Sequence, residues 1–217
     1  MRPDLVIFDC DGVLVDTEVL QVAVEARVLT EIGWQIEPDE VVRRWMGRTA
    51  AAQTADIRER LGEEGVRRYD ELARGQIHEA FERDLVEVEG VSSLLDALDA
   101  AGLPACVASS GSHERIRRTL GLTGLLPRFE GRIYSALDVE HGKPAPDLFL
   151  HAAARLGVPP SRCVVVEDSA YGVQAGVAAG MRVLGYGSGL ADPQSLRAAG
   201  AEVFDRMADV PALVGVG

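Results

Sequence analysis

The apolar positions of this chain change period several times along its length, and the changes divide it into three stretches. Leu5, Val6, Ile7 and Phe8 form a short unbroken apolar run, the pattern of a strand buried on both faces. From Val19 the apolar residues fall at three-and-four spacing, through Leu20, Val22, Ala23, Ala26, Leu29 and Ile32 to Gly33, which predicts a first helix. Residues 38–46, 50–61 and 65–85 continue as charged, helical segments with no β-rich run among them, the pattern of a small helical bundle. From Gly90 onward short apolar runs and helical periods alternate. Helices are predicted over 91–101, 113–120, 147–156 and 170–179. Strands are predicted over 104–108, around Ile133, and over 163–166, 182–184 and 202–204.

Strands alternating with helices predict an α/β fold whose mainly parallel sheet is covered on both faces. The opening strand must rejoin that later sheet. A core of residues 1–15 and 86–217 is therefore expected, interrupted by an inserted helical domain at 16–85. With 217 residues, 47% of them hydrophobic, the chain can fill one sizeable core or a core plus a smaller domain.

Charge narrows the partners. A net charge of −12 with no offsetting basic tract argues against binding nucleic acid or an anionic membrane surface, and any phosphate site must supply its own local cations. No charged-then-apolar leader opens the chain and no apolar run approaches the ~18 residues of a membrane span, so a cytoplasmic protein is expected. Cys10, Cys106 and Cys163 are odd in number and lie in or beside apolar runs, which marks them as small core residues. The oligomeric state stays open between a monomer, the simpler expectation, and a homodimer.

The most informative run is Asp9-Cys10-Asp11-Gly12-Val13-Leu14-Val15-Asp16, directly after the first strand. Ligands on open α/β sheets gather at the carboxyl ends of strands, so Asp9 and Asp11 stand where chemistry is expected. Carboxylates this close repel unless a cation or a shared proton intervenes, which suggests a hard divalent ion such as Mg2+. The competing reading is a solvated Asx turn.

Later strand ends supply partners. The strand ending near Ala108 runs into Ser109-Ser110-Gly111-Ser112, where a hydroxyl and turn amides can meet a phosphoryl oxygen; Ser112 alone would suit a helix cap. In Gly142-Lys143-Pro144-Ala145-Pro146-Asp147 two prolines stiffen the backbone around the only lysine of the sequence, so its ammonium is presented with little freedom. The strand over 163–166 ends in Glu167-Asp168-Ser169, a second acidic pair that could close a metal site with the first or cap the following helix.

Taken together, Asp9-x-Asp11-Gly12-x-x-x-Asp16, Ser109, Lys143 and Glu167-Asp168 resemble the four ordered motifs of the haloacid dehalogenase superfamily. Gly142-Lys143-Pro144-x-Pro146-Asp147 and the helical insertion resemble the phosphatase and β-phosphoglucomutase branch. The resemblance implies a Rossmann-like doubly wound core with an α-helical cap. It implies that Asp9 attacks phosphorus to give an aspartyl phosphate, that Asp11 protonates the leaving oxygen and then activates water, that Ser109 binds the phosphoryl group, and that Lys143 bridges it to Asp9. Asp9, the backbone carbonyl of Asp11, and Asp168 would hold Mg2+, with Glu167 a ligand or an outer partner. Ser110 and Gly111 would add contacts to the phosphoryl group.

The branch and substrate class follow from departures. Asp11 disfavours dehalogenation, which has no alkoxide to protonate, and a single lysine disfavours a phosphonatase. Mutase members carry a cap histidine twelve residues after the nucleophile, where this chain has Gln21. Hydrolysis of a small sugar phosphate or sugar-acid phosphate is therefore expected, with phosphoryl transfer between sugar positions as the alternative. A receiver-like phospho-accepting module is a third reading, disfavoured by Asp11 and the insertion. In the insertion, Gly47, Arg48 and Glu18 are candidate contacts to the non-transferred part of the substrate. His113, Arg115 and His141 are read as framework or rim groups.

Overall fold

The computed structural model describes residues 2–45 and 50–216, which form two compact units: residues 1–16 with 86–217, and residues 17–85. The first unit is built on a six-stranded, all-parallel sheet with β1 at Leu5–Phe8, β2 at Ala105–Ser109, β3 at Ile133–Ser135, β4 at Cys163–Glu167, β5 at Arg182–Tyr186 and β6 at Glu202–Phe204. Its strand order is β3-β2-β1-β4-β5-β6, the doubly wound Rossmann-type order. The chain leaves β1 for one half of the sheet and returns to the other half at β4. The crevice beyond the carboxyl ends of β1 and β4 is thus the topological switch point, where such sheets bind ligands.

Every residue of β1, β2 and β4 is buried, as unbroken apolar runs require in a sheet covered on both sides. Leu5, Ile7, Cys106, Ala108, Cys163 and Val165 pack on one face with residues of the later helices, while Phe8 points to the other and meets Phe129 edge-on at 6.4 Å. Those helices follow their apolar spacing. Helix α4 (Val91–Ala100) buries Val91, Leu94, Leu95 and Leu98; α5 (His113–Leu122) starts at the Ser112 cap, whose Oγ accepts from the Arg115 amide at 3.3 Å. Helix α6 (Asp147–Arg155) buries Leu148, Phe149, Ala152 and Ala153, and α7 (Ala170–Ala178) buries Gly172, Val173, Ala175 and Gly176. Two short helices, α8 (Pro193–Ala199) and α9 (Val210–Leu213), complete this unit. The three cysteines are buried and free.

The second unit holds α1 (Thr17–Glu31), α2 (Pro38–Trp45) and α3 (Ala50–Asp84) around Val28, Leu29, Trp34, Val41, Trp45 and Ile57. The two helices expected over 50–61 and 65–85 run together as α3, interrupted at Gly62, whose φ of 70° and ψ of −174° are non-helical. No helix among the described residues is long and apolar enough to cross a membrane.

Candidate active site

Register brings the sequence motifs together. Phe8 pairs with Val107 of β2 and with Val166 of β4, so Asp9, Ser109, Glu167 and Asp168 leave three adjacent strands at the same edge. The Asp9 amide donates to the Val166 carbonyl at 2.9 Å, continuing the ladder one residue past β1 and holding the carboxylate at the switch point. Asp9, Ser109, Glu167 and Asp168 are all buried. Charged groups stay buried only when paired or hydrogen-bonded.

Lys143 supplies the pairing. Its Nζ donates to Asp9 Oδ1 at 2.5 Å and to Glu167 Oε1 at 2.6 Å, and its side chain is only 5% exposed. The same ammonium lies 5.0 Å from the centre of the buried Phe149 ring on α6, a cation–π contact that closes the lysine from below. The loop that carries Lys143 has a cis Lys143–Pro144 peptide. Burial pushes the Asp9 carboxyl up to about 7, against the pull of Lys143, and the nearby Glu167 charge adds to the rise. For Lys143 burial works against the charge, but Asp9 and Glu167 outweigh it and hold the ammonium above its ordinary range.

Both Glu167 oxygens are engaged. Oε1 accepts from Lys143, and Oε2 accepts from the Ser169 amide at 2.7 Å and the Ser169 hydroxyl at 2.9 Å. Glu167 therefore holds Lys143 with one oxygen and Ser169 with the other. Ser169 also caps α7, its Oγ accepting from the Gly172 amide at 3.1 Å. The oxygen groups at this edge that the sequence reading assigns to a cation are the carboxylates of Asp9 and Asp168 and the backbone carbonyl of Asp11. Among the described residues no three His, Cys, Asp or Glu side chains gather into a cage. That donor set suits a hard ion that keeps several waters and takes one or two carboxylates.

Ser109 ends β2 with its Oγ accepting from the Gly111 amide at 3.1 Å, and the Gly111 carbonyl accepts from the Ser135 hydroxyl at 2.6 Å. The Gly111 amide is thus turned onto Ser109 within the loop, while Ser110 is exposed. Asp11 is paired with Arg115 Nη2 at 3.1 Å. Arg115, expected as a framework or rim group, sits in the first turn of α5 and touches the second acidic residue of the first motif. Its guanidinium is held above its ordinary range by Asp11 in spite of burial. His113 and His141 pair with Asp138 at 2.9 Å and Asp147 at 3.2 Å. Glu18 lies in the first turn of α1, in the 17–85 unit. Gly47 and Arg48 fall outside the described residues.

Comparison with known proteins shows the family and the fold. The model of the haloacid dehalogenase-like hydrolases matches residues 3–180. The 6-phosphogluconate phosphatase of Escherichia coli (strain K12) is 33% identical over 89% of this chain and 86% of its own. A haloacid dehalogenase-like protein from Agrobacterium tumefaciens str. C58 superposes with a TM-score of 0.85 and 39% identity, covering 97% of each chain. A hydrolase of the same family from Deinococcus radiodurans R1, whose structure holds phosphate and sodium, gives a TM-score of 0.85 at 30% identity over 98% of this chain and 95% of that one. With its motifs assembled at one sheet edge and its family model matched over most of its length, the chain belongs to the haloacid dehalogenase-like hydrolases.

Proposed function

We propose that this phosphoric monoester hydrolase removes phosphate from a small phosphorylated sugar or sugar acid through an aspartyl phosphate on Asp9. One observation carries the reading: the buried Lys143 ammonium bridging Asp9 and Glu167 at the switch point. A carboxylate must approach a phosphate ester of its own sign, and a fixed, water-poor ammonium lowers that repulsion in the transition state without reorganising. Asp9 attacks phosphorus, the ester P–O bond breaks, and Asp11 passes its proton to the departing alkoxide. Asp11 then takes a proton from water, whose oxygen attacks the aspartyl phosphate and releases Asp9 and inorganic phosphate. Dividing the reaction this way is a recognised answer to the very slow uncatalysed hydrolysis of phosphate monoesters.

Ser109 would donate its hydroxyl to a phosphoryl oxygen, and Arg115 would aim Asp11. Mg2+, held by Asp9, Asp168 and the Asp11 carbonyl, would supply the Lewis-acid charge that neutralises phosphoryl oxygens. The inserted helical unit would act as a cap, with Glu18, Gly47 and Arg48 as its candidate substrate contacts. The phosphatase relative from Escherichia coli supports sugar-acid phosphates as the substrate class. Gln21 supports hydrolysis over mutase chemistry: its amide donates to Glu25 at 2.9 Å and carries no titrating charge with which to hold Asp11 back.

The test is a panel of phosphorylated sugars and sugar acids, 6-phosphogluconate among them, assayed with Mg2+ for released phosphate, beside β-glucose 1-phosphate assayed for isomerisation. Phosphate release from the sugar-acid and sugar phosphates is expected. Conversion of β-glucose 1-phosphate to glucose 6-phosphate without phosphate release would replace hydrolase with mutase.

A further inference from the structure

Gly172 occupies the third position of α7, where its φ is ordinary and helix propensity alone favours alanine. The reason for glycine lies in front of it. A Cβ built on Gly172 would overlap the Glu167 carboxylate outright, with both oxygens and the carboxyl carbon as its nearest neighbours. That carboxylate is 1% exposed and pinned from two sides, by Lys143 on Oε1 and by Ser169 on Oε2. We infer that Gly172 is a positioning residue: the space left by its missing side chain is the seat of the Glu167 carboxylate, and through it sets where the Lys143 ammonium stands against Asp9.

Two responses to an added methyl are open. The first turn of α7 could lift, but the helix is seated against the sheet at its next turn, where a Cβ on Gly176 would come within 2.6 Å of Val183 Cγ2, and the intervening Val173 is fully buried. The carboxylate could instead rotate away, giving up its contacts with Lys143 and Ser169 while the helix backbone stays seated. The second response keeps the packing against Val183 and Val173, and it breaks the Lys143–Glu167 pair.

The inference rests on the proposed role of Asp9, so Asp9→Asn is assayed alongside with p-nitrophenyl phosphate and Mg2+. Gly172→Ala is expected to lower kcat about 10- to 100-fold with KM nearly unchanged, the scale of a small misplacement of a reacting group. Gly176→Ala, crowded on the same helix but against Val183 only, is expected to lower the melting temperature and leave kcat unchanged. Glu167→Asp withdraws the carboxylate by one methylene, so it too should lower kcat, and adding Gly172→Ala to it should cost nothing further. Multiplying losses in that double variant, or wild-type kcat in a folded Gly172→Ala, would overturn the inference. If Gly172→Ala does not fold, the double variant decides: folding and turnover equal to Glu167→Asp uphold the inference, and an unfolded double variant overturns it. An active Asp9→Asn would instead remove the functional reading beneath it.

Discussion

Lys143 Nζ lies 2.5 Å from Asp9 Oδ1 although the two residues are 134 positions apart in sequence, and the same ammonium reaches Glu167 at 2.6 Å. One cation therefore serves two buried carboxylates. Lys143→Met should reduce kcat by about 10²- to 10³-fold, the usual loss for one preorganised electrostatic contact, as measured by steady-state phosphate release. It should also destabilise the fold by roughly 3–5 kcal/mol in urea titration, because both carboxylates stay buried without their partner. A variant of normal stability would mean that the pair is not closed in solution.

Because Lys143 is the sole lysine, its chemistry can be followed without interference from other side chains. Brief reductive methylation, read by mass spectrometry, should modify Lys143 at least about tenfold more slowly in the native protein than in urea, since a buried, paired ammonium presents little free amine. Glu167→Gln should raise the native rate by loosening one of the two pairs. Equal rates in native and unfolded protein would contradict the burial.

Acid–base linkage at Asp9 has a definite sign. Burial raises its carboxyl from 3.8 to about 7 in the metal-free protein, so between those values the folded state holds a proton that the unfolded chain has lost. The associated stability is complete below the unfolded value and is lost as pH rises through about 7. In chelator-treated protein, urea unfolding of wild type minus that of Asp9→Asn should therefore decline over this window. Added Mg2+ at about pH 8 should raise the melting temperature of wild type and not of Asp9→Asn, because only the wild-type carboxylate would gain a counter-ion. A flat difference, or equal Mg2+ responses, would contradict the placement of Asp9.

Arg115 holds Asp11 at 3.1 Å from the first turn of α5. Arg115→Gln keeps a hydrogen-bond donor but removes the charge and the reach of the guanidinium, and should lower kcat roughly tenfold while Tm moves little. Unchanged kcat would make the pair a surface feature without a part in turnover.

Much of this arrangement is legible in the chain, for physical reasons that differ by element. The strands β1, β2 and β4 carry apolar runs because parallel strands are buried on both faces; β2 and β4 end in Ser109 and Glu167, and Asp9 directly follows β1, all at the switch point. Helix α8 is masked by its own punctuation: Asp192-Pro193 and Gly200 read as turn signals, yet they cap a seven-residue helix that buries Leu196. The Arg115–Asp11 pair spans 104 positions and leaves no local pattern in the sequence. Gly172 was hidden for a further reason, since a glycine in a run of small helical residues suggests close helix packing, as Gly176 indeed shows against Val183, whereas its neighbour one turn earlier faces a carboxylate.

The most direct measurement is the identity of the phosphorylated residue during turnover. Single-turnover mixing with a labelled sugar phosphate and Mg2+, acid quench, borohydride reduction and peptide sequencing should find homoserine in place of Asp9, formed at a rate no slower than phosphate release. Phosphate released at that rate with Asp9 unreduced, or with the label on any other side chain, would contradict the attack of Asp9 on phosphorus.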